Sequence, residues 1–221
     1  MLKIDHLSVS YGPKEVLRAL SLSCEEASIH GIMGHNGAGK TTFFNTLYGR
    51  IIPQAGHMSW KDAKIQREDI SYMETYTFFY PYMLGKEYLQ LVKDDLEKIH
   101  YWGKIFDLPL QERVDKYSTG MKKKAALIAQ LLLDRPILLL DEPFSGVDIE
   151  SNEKINLILQ KLKENGKTIL IASHSIHQLL HVSNRISVLE EGQFQMTYEQ
   201  AEFNQLQSYF KDRIQQELDF D

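Results

Sequence analysis

Hydrophobic positions along this chain fall into two rhythms. Short apolar runs bounded by turn residues mark strands at 28–33, 70–73, 137–140 and 168–172, and the last two suit strands buried in a parallel sheet. The first ten residues alternate patchily, Gly12-Pro13 breaks them, and 16–23 reads as a returning strand. Segment 56–60 is a further strand, and 185–189 with 193–197 forms a hairpin around Glu190-Glu191-Gly192. Helical spacing takes over between about 85 and 116, where Leu89, Leu91, Val92, Leu96, Ile99, Trp102, Ile105 and Phe106 recur. That stretch, with the segment up to 118, predicts a helical lobe inserted into the core. Helices are also expected over 42–48, over 122–133 before Arg135-Pro136, and over 152–164 before Asn165-Gly166. In the tail, about 198–221, Phe203, Leu206, Phe210, Ile214 and Leu218 make one apolar stripe. The acidic end Glu217, Asp219 and Asp221 argues against a lipid anchor, so the stripe is expected to dock on the chain itself, with a partner surface as the alternative.

Length and composition narrow this picture. The 221 residues suit one α/β domain spanning 1–221, and 43% hydrophobic residues can fill a core. A net charge of −5 argues against a general nucleic-acid binder, so no nucleic-acid partner is expected. The lone Cys24 permits no disulfide within the chain, suits a reducing compartment, and sits where a small buried hydrophobe is expected. Lys3 and Asp5 make the N-terminus unlike a secretory signal. The apolar runs fall short of the ~18 residues a spanning helix needs.

Chemistry enters at Gly34-His35-Asn36-Gly37-Ala38-Gly39-Lys40-Thr41-Thr42, which fits the phosphate-loop pattern G-x-x-x-x-G-K-[ST]. Adjacent phosphates need many donors within a small radius, and glycines let successive backbone N–H groups turn inward. Lys40 would reach the β- and γ-phosphates, and the Thr41 hydroxyl would ligate Mg²⁺. A strand before the loop and a helix after it place the phosphates at a helix N-terminus. A nucleoside triphosphate with Mg²⁺ is the expected ligand; the resemblance drawn below implies that it is ATP.

The second half narrows the class. Asp141-Glu142-Pro143 follows an apolar strand at once. The first acid can hold Mg²⁺, and the second can polarise an attacking water; a solvated loop is the bland alternative. Ser118-Thr119-Gly120 opens a helix and offers either a second phosphate site or an ordinary cap. Lys122, Lys123 and Lys124 behind it are expected to form a solvated face. His174, at the end of a strand, can sense a γ-phosphate.

Together these residues resemble the ATP-binding subunit of ABC transporters over nearly the whole chain, from about Leu2 to Thr197. Residues 34–42 look like Walker A, and 137–142 like Walker B with its glutamate. Tyr117-Ser118-Thr119-Gly120-Met121 looks like the L-S-G-G-Q signature, Ser145-Gly146-Val147-Asp148 like the D-loop, and His174 like the switch histidine. Tyr11 falls where the family stacks an aromatic ring on adenine, with a role in covering the β lobe as the alternative.

The resemblance implies a P-loop NTPase core with an antiparallel β lobe and an inserted α-helical lobe. It implies an ATPase whose Glu142 activates water while Lys40 and His174 stabilise the γ-phosphate and Thr41 and Asp141 hold Mg²⁺. ATP would lie between the loop of one subunit and Ser118 to Gly120 of another, in a homodimer or heterodimer, with Asp148 also among the nucleotide-binding residues. The dimer would drive a separate membrane permease from the cytoplasmic face. Phe79, Tyr80 and Tyr82, in the aromatic run after the Q-loop, would include a permease contact. A soluble ABC ATPase that remodels a cytosolic assembly, and a non-hydrolysing nucleotide sensor, are the rival readings.

Two departures stand out: Thr119 and Met121 in the signature, and Thr75 where the Q-loop carries glutamine. Threonine is too short to reach as far towards Mg²⁺, and Glu74 is a candidate substitute.

Overall fold

The structure, a computed structural model, describes residues 1–218. Asp219, Phe220 and Asp221, and the side chains of Ile214 and Glu217, lie outside the described residues, so the acidic-tail reading rests partly beyond them. Strand β1 (Leu2–Tyr11) turns into β2 (Lys14–Cys24), and β3 (Ile29–Met33) leads through a loop into helix α1 (Lys40–Leu47). Then come β4 (Ala55–Trp60), β5 (Ala63–Lys64) and β6 (Ile70–Met73). The inserted lobe holds α2 (Gly85–Val92) and α3 (Leu96–Ile105), followed by α4 (Thr119–Leu133). The remainder alternates β7 (Ile137–Asp141), α5 (Ile149–Glu164), β8 (Thr168–Ser173), α6 (Ile176–Val182), β9 (Arg185–Glu190) and β10 (Gln193–Glu199), and ends in α7 (Phe203–Leu218).

Two sheets result. The smaller runs β2-β1-β4-β5 and is antiparallel. The larger runs β10-β9-β3-β8-β7-β6, parallel except for β10 at its edge. Strands β3, β7 and β8 are buried at every position, as their unbroken apolar runs require of strands covered on both faces. One core packs between the two sheets around α1, where Phe43 and Phe44 are fully buried. Burying such a ring is worth roughly 1.5–3 kcal/mol, which fixes the helix behind the phosphate loop. The other core lies on the opposite face and joins α4, α5 and α6 to the inserted lobe through Leu89, Ile99, Phe106 and Val114.

Several elements extend further than the hydrophobic pattern marks. Helices α1, α4 and α5 begin two to three residues earlier because Gly39, Ser118 and Asp148 serve as their N-caps. Helix α6 and the two-residue β5 carry too little periodicity to announce themselves. In the tail, Phe203 and Leu206 are buried and Phe210 packs against the same core, so the first turns of α7 dock on the chain itself, whereas Leu218 is exposed.

Cys24 is buried, as its segment suggested, beside a histidine that the sequence did not mark. His30 Nε2 lies 2.8 Å from Ser187 Oγ, which lies 2.7 Å from Thr197 Oγ1, and His30 Nδ1 is 3.5 Å from Cys24 Sγ. Burial first, and Arg185 second, push the imidazole down to about 3. A base depressed in the fold stays neutral there while the unfolded chain takes up protons near pH 6.5. This contribution is therefore complete above pH 6.5 and is lost as pH falls towards 3. At pH 5 the loss amounts to about 2 kcal/mol. Thermal melting between pH 7 and 5 should show a steeper fall for the wild type than for His30→Gln; equal slopes would assign the acid sensitivity to other groups.

Candidate functional site: a nucleotide cleft

The cleft sits at the carboxyl ends of β3, β7 and β8, the position where open parallel sheets collect their ligands. Its volume is about 570 Å³, and its walls include Tyr11, His35, Asn36, Gly37, Gly39, Lys40, Thr41, Thr42, Thr75, Asp141 and Glu142. The loop is built by close approach. A Cβ on Gly34 would come 2.7 Å from the Leu189 carbonyl oxygen. Gly39 adopts φ +110, and a Cβ there would meet Leu17 Cδ2 at 2.9 Å. Both positions exclude larger residues for reasons of space, and Gly39 also for its left-handed backbone. Ala38 turns inward and is buried in the core behind the loop.

Lys40 Nζ donates to the carbonyls of Gly34 at 2.6 Å and His35 at 3.2 Å, and stands 4.0 Å from Glu142 Oε1. Burial pushes the ammonium down from its ordinary value, and the carboxylates of Glu142 and Asp141 oppose that shift. The Thr41 hydroxyl donates to Asp141 Oδ2 at 2.7 Å. Asp141 Oδ1 is buried and finds no hydrogen-bond partner among the described residues. Burial pushes this carboxyl up, against the Thr41 and Thr75 hydroxyls and Lys40. A buried carboxylate oxygen without a donor, beside a threonine hydroxyl and a triphosphate-sized cleft, fits a hard divalent cation that takes oxygen ligands.

Glu142 follows at φ +53, a left-handed conformation, with its N–H bonded to the Ala172 carbonyl at 2.9 Å. Its Oε1 accepts from the His174 backbone N–H at 3.0 Å and lies 2.8 Å from His174 Nδ1, while Oε2 accepts from the Ser173 hydroxyl at 3.2 Å. The side chain of Glu142 is nearly buried, and that of His174 is about half exposed. Ser173, which sequence reasoning passed over, shares the strand end that presents His174. Lys14 and Val16, also cleft-lining, carry no sequence signal beyond their place after the Gly12-Pro13 turn.

Gly34, Ala38 and His174 stand behind or beside the cleft lining, and Ser118, Gly120 and Asp148 lie apart from it. Ser118 caps α4, its hydroxyl accepting from the Met121 N–H at 3.2 Å. A Cβ on Gly120 would come 3.0 Å from the Gly146 carbonyl, so the signature segment packs on the D-loop segment of the same chain. Asp148 caps α5 by accepting from the Ser151 N–H and hydroxyl, each at 2.8 Å, and pairs with Lys124 at 3.2 Å. Those bonds hold its carboxyl well below the usual range.

Two other expectations change. The lysines after the signature are not simply a solvated face: Lys123 and Lys124 are partly buried and bonded. Glu74 does not stand in for the missing glutamine, because Arg50 Nη2 binds it at 2.8 Å on a stack with Tyr48 and Tyr72. Thr75 itself lines the cleft.

A phosphate loop facing a strand-borne Asp-Glu pair and a strand-end histidine defines a P-loop nucleoside triphosphatase. The sequence pattern of the family described as ABC transporter matches residues 17–145. The uncharacterized ABC transporter ATP-binding protein MJ1023 of Methanocaldococcus jannaschii is 30% identical over 196 residues, covering 86% of this chain and 74% of that protein. The uncharacterized ABC transporter ATP-binding protein YhaQ of Bacillus subtilis is 29% identical, covering 87% and 69%. Among solved structures, the dimeric post-hydrolysis state of the cassette MJ0796 bound to ADP and Pi superposes with a TM-score of 0.81 at 23% identity, covering 90% of this chain and 99% of that one. The chain belongs to the ABC transporter family. It is an ATP-hydrolysing subunit that powers transport through a separate membrane permease.

Tyr11 stands at the cleft mouth, half exposed. If it stacks on the base, Tyr11→Ala should weaken ATP binding by up to about 1–3 kcal/mol, and Tyr11→Trp should not. Equal nucleotide affinity in all three proteins, measured by titration, would remove Tyr11 from the site.

Proposed function

We propose that Glu142 is the residue that positions the hydrolytic water, within a dimer of cassettes that sandwiches two ATP molecules. The observation that carries this is the Glu142 carboxylate, held from three sides by Ser173, His174 and Lys40. Backbone N–H groups of 34–42 cradle the phosphates, and Lys40, already desolvated, meets the β- and γ-oxygens. Thr41 and Asp141 would hold Mg²⁺, which would supply neutralisation of charge on the phosphates. His174 moves from Glu142 to the γ-phosphate as the dimer closes. Ser118 and Gly120 face the second subunit's ATP, with the N-terminus of the 15-residue α4 behind them. Asp148 lies beside that junction and orders it rather than touching nucleotide within its own chain. Catalysis here is positioning and electrostatics, with no covalent intermediate.

Glu142→Gln should keep ATP binding, lower turnover by about 10²–10⁴-fold, and leave a dimer that persists with ATP. Parent-like phosphate release would give Glu142 the wrong role.

The permease docks, in this proposal, on the loop that follows β6. Phe79, expected among the contacts, turns inward against Tyr88 at 4.6 Å between ring centroids. Phe78, Tyr80 and Tyr82 remain exposed, the first two in edge contact at 5.1 Å, and Arg113 stacks over Tyr82 at 4.3 Å. Exposed rings of this kind are favoured interface anchors. No helix among the described residues is long and apolar enough to cross a membrane, so a place on the cytoplasmic face would come through this contact. Single alanine replacements of Phe78, Tyr80 and Tyr82 should include one that keeps basal ATPase and loses permease-stimulated turnover. If none separates the two activities, the docking surface lies elsewhere.

A further inference from the structure

Lys123 is partly buried beside the cleft. It projects from the second turn of α4, five residues after Ser118. Its Nζ donates to the Thr75 carbonyl at 2.8 Å and to the Glu142 carbonyl at 3.1 Å. Those carbonyls belong to the loops that leave β6 and β7, neighbouring parallel strands whose register sets Met73 beside Leu140. One ammonium therefore ties three segments: the helix that begins at the signature, the cleft wall at Thr75, and the turn that aims Glu142.

The turn is where this tie matters. Glu142 is not glycine, yet it holds φ +53. Such a residue stays left-handed only when its surroundings over-determine it. Its N–H bonds to the Ala172 carbonyl at 2.9 Å, and its own carbonyl accepts from Lys123 Nζ at 3.1 Å and, within the turn, more weakly from the Ser145 N–H at 3.4 Å. The Ala172 bond comes from the sheet and is rigid. The Lys123 bond comes from a side chain on α4 and depends on where that helix stands. A lysine is suited to the place, since three rotatable donors can serve two carbonyls while the charge faces Asp141 and Glu142. An apolar residue of similar length would leave both carbonyls without this donor.

We propose that Lys123 is a positioning residue for ATP hydrolysis: its ammonium holds the Glu142 turn and the Thr75 wall in register with the signature helix. This rests on Glu142 positioning the water, as argued above. Lys123 touches neither nucleotide nor water; it acts through the backbone of the residue that does. Because Ser118 and Lys123 share one helix, a shift of α4 on meeting a second subunit is transmitted to Glu142 through this bond. ATP binding would not sense the loss of the ammonium directly, since the phosphate loop is anchored by β3 and α1.

The test uses the full chain and compares Lys123→Met, Lys123→Arg and Glu142→Gln with the wild type. Steady-state ATPase gives kcat and KM, a fluorescent ATP analogue gives nucleotide affinity, and melting gives stability. Lys123→Met should lower kcat about tenfold, the scale expected when a catalytic group is misplaced without being removed, with nucleotide affinity unchanged. Lys123→Arg, which keeps a cation and several donors, should recover most of that loss. Should Lys123→Met fail to fold, Lys123→Gln makes the same comparison with a neutral donor. Unchanged kcat in the neutral variants overturns the proposal, as does a fall in kcat that tracks melting in every variant, Lys123→Arg included. If Glu142→Gln turns over like the parent, the assignment of Glu142 fails first. If Glu142→Gln is inactive and Lys123→Met is normal, only the role of Lys123 falls.

Discussion

The parallel register of β7, β8 and β3 is the constraint on which the rest of this structure depends. Asp141 lies opposite Ala172, and Met33 lies opposite Ser173. Three strands that follow one another only after long crossovers thus end at one level. Each end carries a different charge type: the phosphate loop and Lys40 after β3, the carboxylates of Asp141 and Glu142 at β7, and His174 after β8. A slip of one residue in any pairing would turn these groups to the other face of the sheet. The fully buried apolar runs forbid it, because such a slip would move side chains packed in both cores.

That constraint explains why the cleft was legible in sequence and its surroundings were less so. The phosphate loop is a local object: glycines at 34, 37 and 39 are demanded by backbone approach and left-handed geometry within a few residues. The Asp-Glu pair announces itself because polar residues directly after Ile137-Leu138-Leu139-Leu140 can only stand at a strand end. Lys123 offers no such cue. In sequence it is the middle member of a lysine triplet, and its partners are carbonyls 48 and 19 residues away. Backbone acceptors carry no side-chain signature, so the burial of this lysine was invisible until the loops after β6 and β7 were placed beside α4. Phe79 shows the same limit. Its neighbours Phe78 and Tyr80 are exposed and it is not, a distinction made by Tyr88 on a helix the aromatic run does not include.

Element boundaries were misjudged in a consistent direction. The hydrophobic pattern started α1, α4 and α5 late because their first residues contribute little to an apolar face: Lys40 and Thr41, Thr119 and Gly120, and, after the Asp148 cap, the exposed Ile149 followed by Glu150 and Ser151. Helix starts here carry caps and the residues proposed to meet phosphate rather than core packing, so the apolar periodicity fades short of the helix ends.

The departures from the family's motifs follow the same economy. Glu74, the acid nearest the substituted position, is paired with Arg50 on an aromatic stack and is not among the cleft-lining residues. Thr75 is left with a small side chain on the cleft wall and a carbonyl committed to Lys123. A short side chain cannot by itself bridge the cleft wall and the signature helix. A backbone carbonyl can, provided that the helix brings the donor. The link between α4 and the catalytic turn is thereby carried from the helix side, by a lysine, and depends on the exit geometry of β6 and β7 rather than on the side chain at 75.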